Sequence, residues 1–251
     1  MWASLACILT GEKLSLWGGP QSTKIIPAIH ANEKEPDLPF DSDQSSEERR
    51  NAADTLEELL LCAKEPFNGT GSPADPQEWC KLESESLLRW AQNSGRVLSY
   101  AQYGELIAGF KFLAGGLEHD VFFKKRFGRV FKITKPPYFG AMWELAKYVQ
   151  NLIWCNEIFD DDLRLEGVLP SDEGMSLVIS QPYIHGTRPS EVQIAEWFAL
   201  QDYHRLSKLI WENSDGRRIA DAHEGNFILQ QDGALIPIDL HVERYSKSLL
   251  L

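Results

Sequence analysis

Between residues 109 and 184 the chain places three short strand-like runs, one long amphipathic run and two further strand-like runs, an order that few folds accept. GFKFL (109–113), HDVFF (119–123) and RVFKIT (129–134) are rich in β-branched and aromatic residues and are joined by short glycine-containing turns. They are too close together for helical crossovers, so they predict an antiparallel meander. After Pro136-Pro137, AMWELAKYVQNLIWCNE predicts a helix over roughly 140–157, followed by strands in LRLEGVL and SLVISQPYI. A second helix is predicted over PSEVQIAEWFAL, then a strand pair around the Asp215-Gly216 turn, then a hairpin within IADAHEGNFILQQDGALIPIDL (219–240). Upstream, Asp75, Pro76 and Glu78 open a helix that carries Trp79, Leu82, Leu87, Trp90 and Ala91 and stops at Gly95. The expected class is α+β, with the tryptophans at 79, 90 and 211 in the core.

The formal charge of −12 is unevenly placed: residues 31–78 hold 13 Asp and Glu against 4 Lys and Arg. With five prolines between Pro36 and Pro76, this predicts residues 1–77 as a flexible acidic leader. One helix is expected in it, at about 46–65, opened by the Ser45/Glu48 capping-box pattern. An acidic leader lacks the clustered basic footprint of nonspecific nucleic-acid binding, so no nucleic acid is expected as a partner. Cys7, Cys62, Cys80 and Cys155 show no C-x-x-C spacing, which suits a reducing compartment better than a zinc site or disulfide framework. No run approaches the ~18 apolar residues of a membrane span. A cytoplasmic protein without a membrane partner is the expectation.

The hairpin carries two acids and an amide near its open end. A two-residue turn at Asp232-Gly233 would make Asn226 and Asp239 direct cross-strand partners, with Cβ atoms roughly 4.5–5.5 Å apart. From that distance an amide oxygen and a carboxylate can converge on one hard cation such as Mg²⁺. Alternation then puts Ile228 and Pro237 on the polar face and Phe227, Leu229, Ile236 and Ile238 on the other. Asp221 stands five residues before Asn226, which is the spacing between the base and the metal-binding Asn in a kinase catalytic loop.

This succession of loop, strand, turn, strand and acid resembles the protein-kinase-like fold, in the lineage that includes aminoglycoside phosphotransferases. DAHEGNF followed by DGALIPIDL, the GG-x-EH run and NEIFDDDLRLEG are similar to the kinase domain found in polyvalent proteins of phages and mobile elements. The likeness runs from about residue 78 to the C-terminus. It implies a two-lobed kinase-like fold: a small antiparallel-sheet N-lobe (about 105–181) with one αC-like helix, a hinge (about 180–186) and a reduced C-lobe (187–251). It also implies a phosphotransferase acting on Mg²⁺ and ATP, with an unspecified protein or small-molecule hydroxyl as acceptor.

By the same resemblance, AGGLEHDV (114–121) stands for the glycine-rich loop, with Gly115, Gly116 and Val121 at the nucleotide and Ala114 and His119 in place of the first and third glycines. Lys132 in RVFK is the phosphate-binding lysine, with Val130 beside it, and its carboxylate partner is Glu144 or, alternatively, Glu157. Gln181 and Tyr183 belong to the hinge that reads the adenine edge, and Ile228 and Ile238 border the nucleotide. Asn226 and Asp239 hold magnesium, and Asp221 orients or deprotonates the acceptor hydroxyl. The sequence departs from the protein-kinase pattern at Ile219, where a scaffold His would stand, and at Leu240-His241, where D-F-G would continue. Only 12 residues follow Asp239, which leaves no room for an activation segment and its helical subdomain.

Each feature alone has an ordinary reading. Asp-Gly hairpins are common, a strand lysine is usually solvated, and a glutamate on a helix face is usually surface charge. His223 would either contact Asp221 or make structural hydrogen bonds only. The joint offsets of five and thirteen linking Asp221, Asn226 and Asp239 are what favour the kinase-like reading. Two alternatives compete with it: a metal-dependent phosphoesterase, for which the histidines near the site are few, and a pseudokinase serving as a nucleotide-binding or protein-interaction module.

Overall fold

The computed structural model describes residues 42–68, 75–115, 118–124, 128–137, 139–140 and 144–244. Its N-terminal elements are α1 (Ser42–Lys64), α2 (Pro76–Asn93), α3 (Tyr100–Ile107), β1 (Lys111–Gly115), β2 (His119–Lys124), β3 (Arg129–Thr134), α4 (Leu145–Phe159), β4 (Arg164–Ser171) and β5 (Gly174–Pro182). Then come α5 (Glu191–Ala199), β6 (Tyr203–Ser207), β7 (Ile210–Asn213), β8 (Arg217–Ala220), β9 (Phe227–Leu229), β10 (Leu235–Pro237) and β11 (His241–Arg244). The class is α+β, and all the strand pairs within the sheets are antiparallel.

The expected meander is the first half of a five-stranded sheet ordered β1-β2-β3-β5-β4. Helix starts follow local chemistry. The Asp75 side chain accepts from the Gln77 N–H at 2.9 Å with Pro76 in the first turn of α2, and Ser99/Gln102 and Ser190/Gln193 form reciprocal capping boxes on α3 and α5. The C-terminal part holds α5, a four-stranded sheet ordered β11-β8-β7-β6 and the β9–β10 hairpin. Among all the elements, α3, β6 and β11 had no sequence expectation. Trp211 is buried and stacks on Phe198 at 4.5 Å, while Trp79 stacks on Phe67 at 4.0 Å.

The expected helix at 46–65 is α1, and it is not a solvated leader. Leu56, Leu59 and Ala63 have no solvent exposure and belong to the same apolar cluster as Leu145, Val149 and Leu152 of α4. The reason is an i, i+3, i+7 apolar stripe beneath an otherwise acidic surface. Charge density marked the outer face and hid the inner one. The rest of the expected flexible leader, residues 1–41 and 69–74, lies outside the described residues.

The long helix expected from 140 begins at Leu145, with Glu144 as an N-cap that makes no side-chain cap bond. A glutamate from α2 supplies the acceptor: Leu145 N–H donates to Glu83 Oε1 at 2.8 Å. Burial raises the Glu83 carboxyl to about 7, against the smaller opposing effects of Trp79 and the Leu145 N–H. A carboxyl that holds its proton longer when folded loses stability as pH rises from its unfolded value near 4.5 through 7. Glu83→Gln keeps an acceptor for Leu145 and removes this titration. In urea melts at pH 5 and pH 8, the variant is expected to be about 2–3 kcal/mol more stable than the wild type at pH 8 and to lie close to it at pH 5.

Candidate active site

A cleft of about 560 Å³ is walled by the five-stranded sheet on one side and by the β8–β9 loop and the hairpin on the other. Strand pairing decides which sheet residues face it. Val121 lies opposite Lys132 across β2–β3, and Val130 lies opposite Gln181 across β3–β5, so period-two alternation gathers all four on one face. Val121, Val130, Lys132, Gln181, Tyr183, Asp221, Asn226, Ile228, Ile238 and Asp239 all line this cleft. Gly115 does not. It is paired with Asp120 at the end of β1, where an added Cβ would stand 2.9 Å from both Asp120 Oδ1 and the Phe112 ring. Gly116 lies outside the described residues.

The hairpin register differs by one residue from the expected one. Leu229 opposes Leu235, Ile228 opposes Ile236 and Phe227 opposes Pro237. The loop therefore has three residues, because Asp232 Oδ1 accepts from the Ala234 N–H at 3.0 Å and Gly233, at φ 90°, is its third member rather than its second. Asn226 then meets Ile238, whose N–H donates to the Asn226 carbonyl at 3.0 Å, and Asp239 follows one residue later. Phe227, Leu235 and Pro237 are buried, and Ile228 and Ile238 face the cleft. Gly186 allows the chain leaving β5 to cross this hairpin: Thr187 and Leu229 exchange backbone bonds at 2.9 and 2.8 Å, and a Cβ at 186 would stand 2.3 Å from the Leu229 carbonyl oxygen.

Pairing of His241 with Ala220 sets the end of β8 beside the chain that leaves Asp239, which brings Asp221 and Asp239 to one wall. Asp221 itself has φ 60°, an unusual backbone for a non-glycine residue. Asn226 Nδ2 donates to the Asp221 carbonyl at 3.0 Å and to Asp221 Oδ2 at 2.9 Å, which orients the amide and leaves its Oδ1 as an acceptor. His223 Nδ1 accepts from the Gly225 N–H at 3.0 Å, so its Nε2 faces Asp221 Oδ2, 3.7 Å away. That distance is an electrostatic contact rather than a hydrogen bond.

Lys132 Nζ donates to Asp239 Oδ1 and to the Ile238 carbonyl, both at 3.0 Å. Asp239 opens onto the cleft, with 53% of its side chain exposed. Its surroundings would raise the carboxyl by desolvation, but the Lys132 ammonium first and His119 second hold it below the usual carboxylate range. From behind, Asn151 of α4 clips the following chain, donating from Nδ2 to the Leu240 carbonyl at 3.2 Å and accepting from the Val242 N–H at 2.7 Å.

Neither expected partner of Lys132 reaches it. Glu144 pairs with Lys147 at 2.6 Å because it caps the helix instead of lying within it. Glu157 lies on the exposed side of the last turn of α4. Besides Asp239, two acids share with Lys132 the walls of a cavity of about 30 Å³ behind the cleft: Glu118, and Asp161 just past the helix. Burial raises Asp161 to about 7 against the pull of Lys132, with Asp239 and Asp160 adding to the rise. His119, where a glycine had been expected to be replaced, is 2.9 Å from the Tyr148 hydroxyl through Nε2. Burial lowers it to about 4 despite Asp239, so it is neutral at pH 7. The acidic triplet in NEIFDDD was the only sequence signal for Asp161, and His119 was marked by the GG-x-EH run without a role being given to it.

The free amide oxygen of Asn226 and the open carboxylate of Asp239 are hard oxygen donors of the kind Mg²⁺ takes when phosphates complete its shell. Among the described residues no helix is long and apolar enough to cross a membrane. The chain matches none of the curated proteins and no solved structure. Residues 81–244 match the profile of the serine/threonine/tyrosine kinases found in polyvalent proteins, and with that span covering well over half of its length the chain belongs to this kinase family.

Proposed function

We propose that the protein is an ATP- and Mg²⁺-dependent phosphotransferase, built as a two-lobed kinase-like domain, that moves the terminal phosphoryl group of ATP to a hydroxyl acceptor. The observation that carries this reading is the convergence of Lys132, Asp221, Asn226 and Asp239 on one cleft. A magnesium ion held by Asn226 and Asp239 would neutralise charge on the phosphates and keep them in line. Lys132 leaves Asp239 to contact phosphate oxygens. Asp221 accepts the proton of the acceptor hydroxyl as the new P–O bond forms and the bond to the β-phosphate oxygen breaks, releasing ADP. Val121, Val130, Ile228 and Ile238 give the base an apolar slot, and Gln181 and Tyr183 mark its outer edge.

Calorimetric titration with ATP and Mg²⁺ tests the reading. The wild type is expected to bind ATP only when magnesium is present, and Asp239→Ala is expected to weaken that binding by about 100-fold or more. No binding by folded wild-type protein would sink the catalytic reading and leave a kinase-shaped interaction module. Release of phosphate from phosphoesters without ATP would favour metal-dependent hydrolysis instead.

A further inference from the structure

We infer that Asp161 is the positioning residue for Lys132, and that it is presented by a strained turn which helix α1 clamps from outside the family-matched region; the assignment rests on the nucleotide-site reading above. Asp160 and Asp162, on either side of Asp161, both have left-handed backbones, at φ 56° and 49°. Two such non-glycine residues in three positions are costly and persist only where the surroundings enforce them.

The enforcement comes from three directions. Within α4 and its exit, Asn156 closes the turn by donating from Nδ2 to the Leu163 carbonyl at 2.9 Å and accepting the Leu163 N–H at 2.7 Å. From the sheet, Arg129 and Arg164 hold the buried Asp162 carboxylate at 2.7 and 2.8 Å. From α1, Arg49 pairs with Asp160 at 2.6 Å and Glu48 with Arg164 at 2.9 Å. Both outer acids of the triplet are thus occupied, and the middle one borders the small cavity that Lys132 also borders.

Lys132 has three N–H donors, and two go to Asp239 and Ile238. A nucleotide's metal would compete for Asp239, and Asp161 is then the anion that keeps the ammonium aimed into the cleft. The family match starts at residue 81, so the α1 half of the clamp lies outside the matched region.

The test reads Lys132 directly, at pH 8. In nucleotide-free protein, the rate of Lys132 acylation by an N-hydroxysuccinimide ester, followed by mass spectrometry, is expected to rise several-fold in Asp161→Asn, with Asp161→Glu restoring part of the protection. An unchanged rate would overturn the assignment. Calorimetry with ATP and Mg²⁺ then compares Asp161→Asn, Lys132→Ala and the double variant. Asp161→Asn is expected to weaken binding about 10-fold alone and to add nothing in the Lys132→Ala background. Additive losses would mean that Asp161 acts without Lys132 and would overturn the proposal. Faster acylation in Asp161→Asn, together with a wild type that binds no ATP, would support the positioning contact while sinking the phosphotransferase reading. The paired surface change Glu48→Gln/Arg49→Gln leaves Asp161 in place, and a smaller shift in the same direction is expected. No shift there, with a clear one in Asp161→Asn, would overturn the role given to α1.

Discussion

Asp221→Asn is expected to lower phosphoryl transfer by about 10³-fold while leaving the affinity for ATP and Mg²⁺ within about twofold. The amide keeps an oxygen that can accept from Asn226 Nδ2, the contact now made to Asp221 Oδ2 at 2.9 Å, so the loop has no reason to rearrange. What it loses is a group able to take a proton. Losses of 10²–10⁴ are typical when a positioned general base is removed. Single-turnover transfer from radiolabelled ATP, to an acceptor or to water, measures the rate, and calorimetry measures binding. A fall in affinity as large as the fall in rate would instead place Asp221 among the metal ligands.

Simultaneous Leu56→Ala and Leu59→Ala is expected to destabilise the protein by about 4–8 kcal/mol, enough to unfold much of a domain of ordinary stability. Each leucine is fully buried against α4, and each truncation leaves a cavity that its neighbours fill only in part. The two sites are one helical turn apart, so the single effects are expected to couple rather than add. Denaturant midpoints for the single and double variants settle the matter. Were α1 a solvated leader, each change would be worth no more than about 0.5 kcal/mol.

Elements whose signal is local were legible in the sequence. RVFKIT became β3 at the expected residues, and the Ser190/Gln193 capping box opened α5 where the sequence placed a helix. Of the site residues singled out in the sequence, ten line the cleft, while Gly115 and Glu144 do not. The failures have separate causes, some local and one set by a distant segment. The hairpin register turned on whether Gly233 is the second or third loop residue, a choice made by the Asp232 side chain. The start of α4 turned on Glu83, sixty-two residues away, and moving that start from 140 to 145 took Glu144 out of reach of Lys132. Asp161 was hidden because it belongs to no regular element. α1 was misjudged because composition averages over a helix whose two faces have opposite character.

The Asn151 clip on Leu240 and Val242 has a thermodynamic meaning for ligand capture. The backbone that carries Asp239 runs straight into β11, which is sewn to β8 along four residue pairs and to α4 from behind. In a flexible loop, ordering such an acid would be charged against the affinity of whatever binds it. Here that entropy is surrendered once, when the chain folds, so a ligand that binds there would meet a carboxylate already in place. Loosening that segment would have to undo part of the core as well.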